Sequence, residues 1–211
     1  MKHVQKGAEP LEFSYWKALA NDDWQPTYDD LSGQTKKTVK DTLMKEQGYL
    51  CCYCECQIDD DDSHIEHFRP QSHADVDPLD FSNFLCSCQN QLQKGVPRHC
   101  GNLKGSWYDS TLLVSPFDSG CEERFIFTGL GFIEPKQQED RGANETIKRL
   151  GLDLPKLNSM RASVIEPFLD DTLSTAELQR FVMGYLQKDS DGRFGEFWSA
   201  IRYLFGDVVT V

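Results

Sequence analysis

A glutamate and a histidine, Glu66 and His67, stand side by side between two groups of cysteines. Near pH 7 a neutral imidazole can accept a proton from water, and a carboxylate can bind a divalent cation. Together they could generate a nucleophile beside a metal ion. Because such pairs also occur by chance, this interpretation depends on the residues around them.

The spacing of the flanking cysteines is typical of a zinc site. Cys51 and Cys54 are two residues apart, which lets two thiolates meet one Zn²⁺ in a tight turn. Cys88 and Cys100 are the best candidates for the second pair, although a polar insertion separates them. We therefore predict a structural Zn²⁺ at these four residues. The other nearby cysteines are either buried thiols or alternative ligands: Cys52, Cys56 and Cys86.

The composition limits where the protein works. The chain of 211 residues is 39% hydrophobic, and no run approaches the roughly 18 apolar residues of a membrane span. Its first residues lack an apolar stretch, so we expect no signal peptide and a cytoplasmic location. Thiols stay reduced there, which favours metal binding over disulfides. The net charge of −12 disfavours unaided nucleic-acid binding, so a partner or metal is expected to supply positive charge.

Short regular elements are predicted around the chemical residues. Residues 65–68 are expected to form a strand with Glu66 and His67 on opposite faces. Residues 100–105 are expected to begin a helix. The four aspartates at 59–62 favour a solvated turn over a metal site, because like charges crowd poorly without a cation.

The segments outside this region provide the scaffold. Residues 1–32 show little periodicity and are expected to form an irregular arm, whereas residues 35–47 predict a helix that Gly48 ends. The outer face of that helix carries lysines that could touch phosphate, although a solvated face is favoured. Residues 141–161 have an excess of basic side chains, a second candidate phosphate or partner surface, although an ordinary amphipathic helix pair is favoured.

In type and order, these residues resemble the HNH, or ββα-metal, endonuclease family. The resemblance implies a strand carrying an acidic residue, here Glu66, followed by the general base, here His67. It also implies that Asn83 braces the intervening loop. A four-cysteine zinc site often fixes the ends of the family's module, which matches the cysteine pattern described above.

The same resemblance implies a catalytic divalent cation, Mg²⁺ or a relative, held by Glu66 and by a residue of the following helix. The family's last His or Asn commonly follows the final cysteine directly, and here that position is Gly101. We therefore expect Asn102 to complete the metal site, with His99 as the alternative. Lys104 is expected to hold a phosphate of the substrate.

Motifs along nearly the whole chain are similar to those of PtuB proteins, the HNH components of Septu-type anti-phage systems, some of which accompany retrons. They lie at residues 6–10, 51–54, 65–71 and 141–150. This likeness implies a toxic effector that works with a PtuA-type ATPase and, in some systems, with retron components. DNA is the favoured substrate because HNH chemistry needs no 2′-hydroxyl, and an RNA such as tRNA stays open.

We predict an α+β fold with a zinc-stapled ββα-metal core. Residues 1–48 would form an N-terminal arm and helix, residues 49–108 the nuclease core, and residues 109–211 a mainly helical scaffold that docks a partner. The alternative function is a non-catalytic zinc-binding adaptor. Glu66 and His67 separate the two hypotheses, since an adaptor gains nothing from a carboxylate and a base beside its cysteines.

Overall fold

The fold is a mixture of short helices and two small antiparallel sheets, which confirms the α+β prediction. A computed structural model describes residues 1–92 and 94–209, and these contain seven α-helices and four β-strands. The helices are α1 Leu11–Lys17, α2 Gly33–Glu46, α3 Gly101–Lys104, α4 Arg141–Leu150, α5 Pro155–Ile165, α6 Thr175–Leu186 and α7 Trp198–Phe205. The strands are β1 Ser63–His67, β2 Phe84–Cys88, β3 Phe125–Phe127 and β4 Ile133–Pro135.

Strands β1 and β2 form a hairpin that leads into α3, the order expected of a ββα core. They pair antiparallel, with Ile65 opposite Cys86 and Glu66 opposite Leu85. Every residue of β2 is buried, so the hairpin lies inside the protein and carries its polar side chains with it. The predicted strand and the predicted helix start are both present at these positions.

Helix α2 lies against β2 and matches the predicted 35–47 helix closely. Its apolar residues Val39 and Leu43 are fully buried. Gly48 follows the helix with φ of 60°, a left-handed conformation that glycine adopts at little cost. A Cβ at this position would lie 2.3 Å from the ring of Phe194, so packing also requires glycine here.

The N-terminal segment is more ordered than the sequence suggested. The irregular arm expected over residues 1–32 contains helix α1, which follows Pro10 and buries Phe13 completely. One buried apolar side chain in a helix of seven residues leaves no periodicity to detect. The terminal amine of Met1 forms a buried ion pair with Glu55 Oε1 at 2.6 Å.

One basic side chain of the stretch at residues 141–161, that of Arg161, is buried in the core. Arg161 is 2% exposed, and its guanidinium donates to the carbonyl of Leu152 at 3.1 Å and to that of Gly131. Arg161 therefore links α5 to the segments that contain Leu152 and Gly131, and its guanidinium is buried instead of facing a phosphate. This corrects the expectation of a surface basic residue at this position.

One hydrophobic cluster contains side chains from all three predicted segments of the chain, including Val39, Leu85 and Ile201. The division into three parts stays a prediction. None of the helices in residues 1–92 and 94–209 combines the length and the apolar character that crossing a bilayer requires.

Candidate functional site

The four predicted zinc ligands meet at one point. The Sγ atoms of Cys51, Cys54, Cys88 and Cys100 all lie within 4.8 Å of one another, and all four residues are buried. Cys54 Sγ lies 3.8 Å from Cys88 Sγ. In a tetrahedral site with Zn–S bonds of about 2.3 Å, neighbouring sulfurs are about 3.8 Å apart. The donor set and its spacing therefore fit a structural Zn²⁺.

Backbone geometry brings the two cysteine pairs together. The turn carrying the first pair is closed by a hydrogen bond from Cys51 N to Cys56 O of 2.9 Å. Cys100 has φ of 55° and donates its backbone N–H to Leu150 O at 2.8 Å, which ties the second pair to α4. Hydrogen bonds from Cys100 and Cys51 hold the pKa of the Cys54 thiol well below its usual range, which favours the metal-binding thiolate.

A buried glutamine next to this cluster escaped the sequence analysis. Gln47 Nε2 donates to Leu50 O and Cys86 O at 2.7 and 2.8 Å, and its Oε1 accepts from Cys86 N at 2.7 Å. It thereby fixes the end of α2, the cysteine turn and β2 to one another. Its sequence position at the end of a helix gives no sign of this role.

The side chain of Glu66, a residue of β1, is buried, and its two carboxylate oxygens have different neighbours. Oε1 forms an ion pair with Lys104 Nζ at 2.8 Å and accepts from Tyr53 OH at 3.1 Å. Oε2 lies 3.7 Å from His64 Nε2. Burial raises the pKa of Glu66, but His64 and Lys104 together outweigh it, so this pKa lies below its usual range. The carboxylate is therefore ionised and suited to a cation.

His67 sits on the opposite face of β1 among aromatic rings. Its ring centroid lies 4.5 Å from that of Tyr28 and 4.8 Å from that of Phe84, both edge-on. Nε2 lies 3.0 Å from Pro78 O, and because a carbonyl only accepts, Nε2 carries the proton. Nδ1 is then the ring atom that can accept a proton. Burial lowers the pKa of His67, which favours the neutral base.

Asn83, which the HNH resemblance predicts as a loop brace, forms two side-chain hydrogen bonds to the chain beyond β1. Its Oδ1 accepts from Arg69 N and its Nδ2 donates to Arg69 O, each at 2.8 Å. Phe68 N also donates to Asn83 O at 3.0 Å. The segment after His67 is thereby held to the start of β2.

The other predicted site residues have partners of their own. Asn102 Nδ2 donates to Gln89 O at 2.7 Å. His99 lies against the cysteine cluster, with Nδ1 3.1 Å from Cys100 Sγ. Lys104 is 4% exposed and bonds His67 O at 3.1 Å in addition to its ion pair with Glu66. The expected metal role of Asn102 or His99 and the phosphate role of Lys104 stay predictions.

Two clefts open beside these residues. One, of about 380 Å³, is lined by Glu66, His67 and Lys104 together with Gly101. The other, of about 350 Å³, is lined by His64 and by the lysines of α2: Lys36, Lys37 and Lys40. Tyr28 and Ile65 line both clefts, so the two are neighbours. The paired acid and histidine thus lie beside a basic surface.

Comparison with known proteins supports the same class. No protein-family model matches the chain. It is 33% identical over 138 residues to the "Retron Vc95 putative HNH endonuclease" of Vibrio cholerae serotype O1 biovar El Tor, covering 62% of this chain. It is 31% identical over 103 residues to the "Retron Ec83 putative HNH endonuclease" of Escherichia coli, covering 45% of this chain. The resemblance to HNH endonucleases is thereby confirmed.

The chain spans 65% of the length of the Vibrio cholerae relative and 40% of that of the Escherichia coli relative. Both names carry the words HNH endonuclease and retron.

Proposed function

We propose that this protein is a metal-dependent HNH endonuclease that hydrolyses phosphodiester bonds of nucleic acid. The observation that carries the proposal is the state of His67, whose Nε2–H donates to Pro78 O and which, with its neighbour Glu66, is among the residues that line one cleft. A histidine with one nitrogen anchored and a lowered pKa has the properties of a general base.

In this mechanism His67 Nδ1 removes a proton from a water molecule as that water attacks phosphorus. Glu66 offers Oε2 to a divalent cation, since Oε1 is occupied by Lys104 and Tyr53. When bound, the cation neutralises charge that builds on the phosphate and on the leaving oxygen. Asn83 keeps the segment after His67 in place through its two bonds to Arg69. The four-cysteine cluster would hold Zn²⁺, which would fix both ends of the module.

The substrate backbone would run from this cleft across the lysines of α2. Lys36 is exposed, whereas Lys37 and Lys40 share Asp60 at 3.2 and 3.0 Å. Asp60 therefore neutralises part of the positive charge of Lys37 and Lys40. The charge of Lys36 is more fully available to a phosphate. DNA is the first substrate to test and a structured RNA such as tRNA the second.

We further propose that the protein acts as the toxic effector of an anti-phage complex with a PtuA-type ATPase. Two observations support this: the PtuB-like motifs, and the word retron in the names of both relatives. The mainly helical C-terminal part offers apolar side chains for docking, since Phe181 and Met183 of α6 are 41% and 48% exposed.

A cleavage assay tests the proposal. Plasmid DNA and total cellular RNA are incubated with Mg²⁺ or Mn²⁺ and the protein, alone and with the ATPase, using His67→Ala as control. Cleavage that disappears in the variant supports the endonuclease and names its substrate. Absence of cleavage of both substrates, with the partner present, would overturn it in favour of a zinc-binding adaptor.

A further inference from the structure

Gly101 stands where the HNH resemblance places a metal-binding His or Asn, and the structure shows what fills the space its side chain would need. A Cβ on Gly101 would lie 2.4 Å from Glu66 Oε2 and 2.9 Å from His64 Nε2. Both distances are too short for a real contact. The His64 ring and the Glu66 carboxylate, which both extend from β1, therefore occupy the space that a side chain at position 101 of α3 would need.

We propose that His64 Nε2 is the second protein ligand of the catalytic divalent cation, in place of Asn102; this inference rests on the proposed endonuclease function. His64 and Glu66 are two residues apart on β1, so their side chains share one face of the strand. The His64 side chain is 24% exposed and that of Glu66 is 8% exposed. An ion can thus reach the imidazole from solvent while the carboxylate stays fixed.

The two donor atoms are close enough for one cation to bind both after a small adjustment. Ligands at about 2.1 Å from a shared octahedral ion lie about 3.0 Å apart when adjacent and about 4.2 Å apart when opposite. The 3.7 Å between His64 Nε2 and Glu66 Oε2 equals neither spacing, so the partly exposed His64 ring would rotate toward the carboxylate when an ion binds. Because Glu66 Oε1 is held by Lys104 and Tyr53, Oε2 is the oxygen that faces the imidazole.

The competing candidates Asn102 and His99 are each anchored to another group through one side-chain nitrogen, whereas His64 is the side chain that lies beside Glu66 Oε2. Asn102 donates its side-chain N–H to Gln89 O at 2.7 Å, and His99 Nδ1 faces Cys100 Sγ at 3.1 Å. A mixed imidazole and carboxylate pair also has a chemical consequence. It favours first-row transition ions such as Mn²⁺ over Mg²⁺, which prefers oxygen ligands.

The test measures Mn²⁺ binding to the zinc-replete full chain in the absence of nucleic acid. Affinity is obtained by calorimetry, and pulsed electron paramagnetic resonance detects the ¹⁴N coupling of an imidazole bound to Mn²⁺. The variants are His64→Ala, Glu66→Gln, Asn102→Ala and, as matched control, His73→Ala. Zinc content and circular dichroism establish that each variant is folded.

We expect wild type and His73→Ala to bind one Mn²⁺ with a ¹⁴N signal. His64→Ala should lose that signal and bind Mn²⁺ at least about tenfold more weakly, because a ligand matters at least as much as its supporting partners. Retention of the signal and of the affinity in His64→Ala would overturn the assignment while leaving the endonuclease proposal standing. A wild-type protein that binds no Mn²⁺ beyond its zinc would contradict both.

Discussion

Lys104 Nζ lies 2.8 Å from Glu66 Oε1, and both side chains are buried in the hairpin–helix module. A lysine that sequence reasoning assigned to substrate phosphate thus neutralises an internal carboxylate and also bonds the carbonyl of His67. The ion pair links the strand that carries the acid and the base to the helix that follows the last cysteine.

Removing Lys104 should destabilise the protein more than a surface substitution does. Lys104→Met leaves the Glu66 carboxylate buried without its cation, and breaking such a pair costs about 3–5 kcal/mol. Urea denaturation of the zinc-bound protein measures the loss. Lys45→Met, at an exposed position of α2, should change stability by less than about 0.5 kcal/mol. Equal effects of the two substitutions would show that the pair contributes nothing.

His67→Ala should lower the cleavage rate by about 10²- to 10⁴-fold, because it removes the general base. Zinc content and the far-ultraviolet circular dichroism spectrum should stay as in the wild type, because His67 lines the cleft and is not part of the cysteine cluster. Rates on the identified substrate are compared with those of His73→Ala, which should retain activity. A fully active His67→Ala protein would remove this residue from the mechanism.

The pH dependence of cleavage should reflect the lowered pKa of His67. The neutral imidazole is the active form, and burial shifts its pKa downward from 6.5. Below the shifted pKa the ring is protonated and the rate falls; above it the base is available. The acidic limb of the rate profile should therefore have its midpoint below pH 6.5. Single-turnover rates between pH 4.5 and 8 test this, and a midpoint above 7 would be inconsistent with it.

Loss of the zinc cluster should unfold the module. Cys54→Ser or Cys100→Ser removes a thiolate from a site that contributes on the order of 10 kcal/mol to folding. Both variants, and the wild type treated with a strong chelator, should lose bound zinc and the cooperative thermal transition. Cys121→Ala lies outside the cluster and should keep one zinc per chain. A folded, zinc-replete Cys54→Ser protein would show that another cysteine is the ligand.

The lysine cleft predicts a salt dependence for substrate binding. Lys36→Ala removes one phosphate contact, so the slope of log affinity against log salt should fall in magnitude by about 1. Lys45→Ala lies on the same helix outside the cleft and should leave the slope unchanged. Binding is measured with the inactive His67→Ala protein between 50 and 200 mM salt. Identical slopes for all three proteins would place the substrate elsewhere.

The sequence by itself determined the features that depend on local pattern. The Cys51 and Cys54 spacing, the adjacent Glu66 and His67, and the apolar period of α2 each follow from short-range geometry. The hairpin–helix order of the core was implied by the resemblance of these residues to the HNH family. The sequence also selected Cys88 and Cys100 as partners of the first pair, and the structure brings all four thiols together.

Only the tertiary structure decided which distant side chains meet. The sequence gives no sign that Arg161 is buried among carbonyl groups or that Lys104 pairs with Glu66; both contacts join residues from separate segments. His64 becomes a candidate metal ligand only because Gly101, far away in sequence, has no side chain to fill the space beside the His64 ring. A buried charge or ligand is defined by desolvation and by neighbours from other segments, and neither has a local sequence signal.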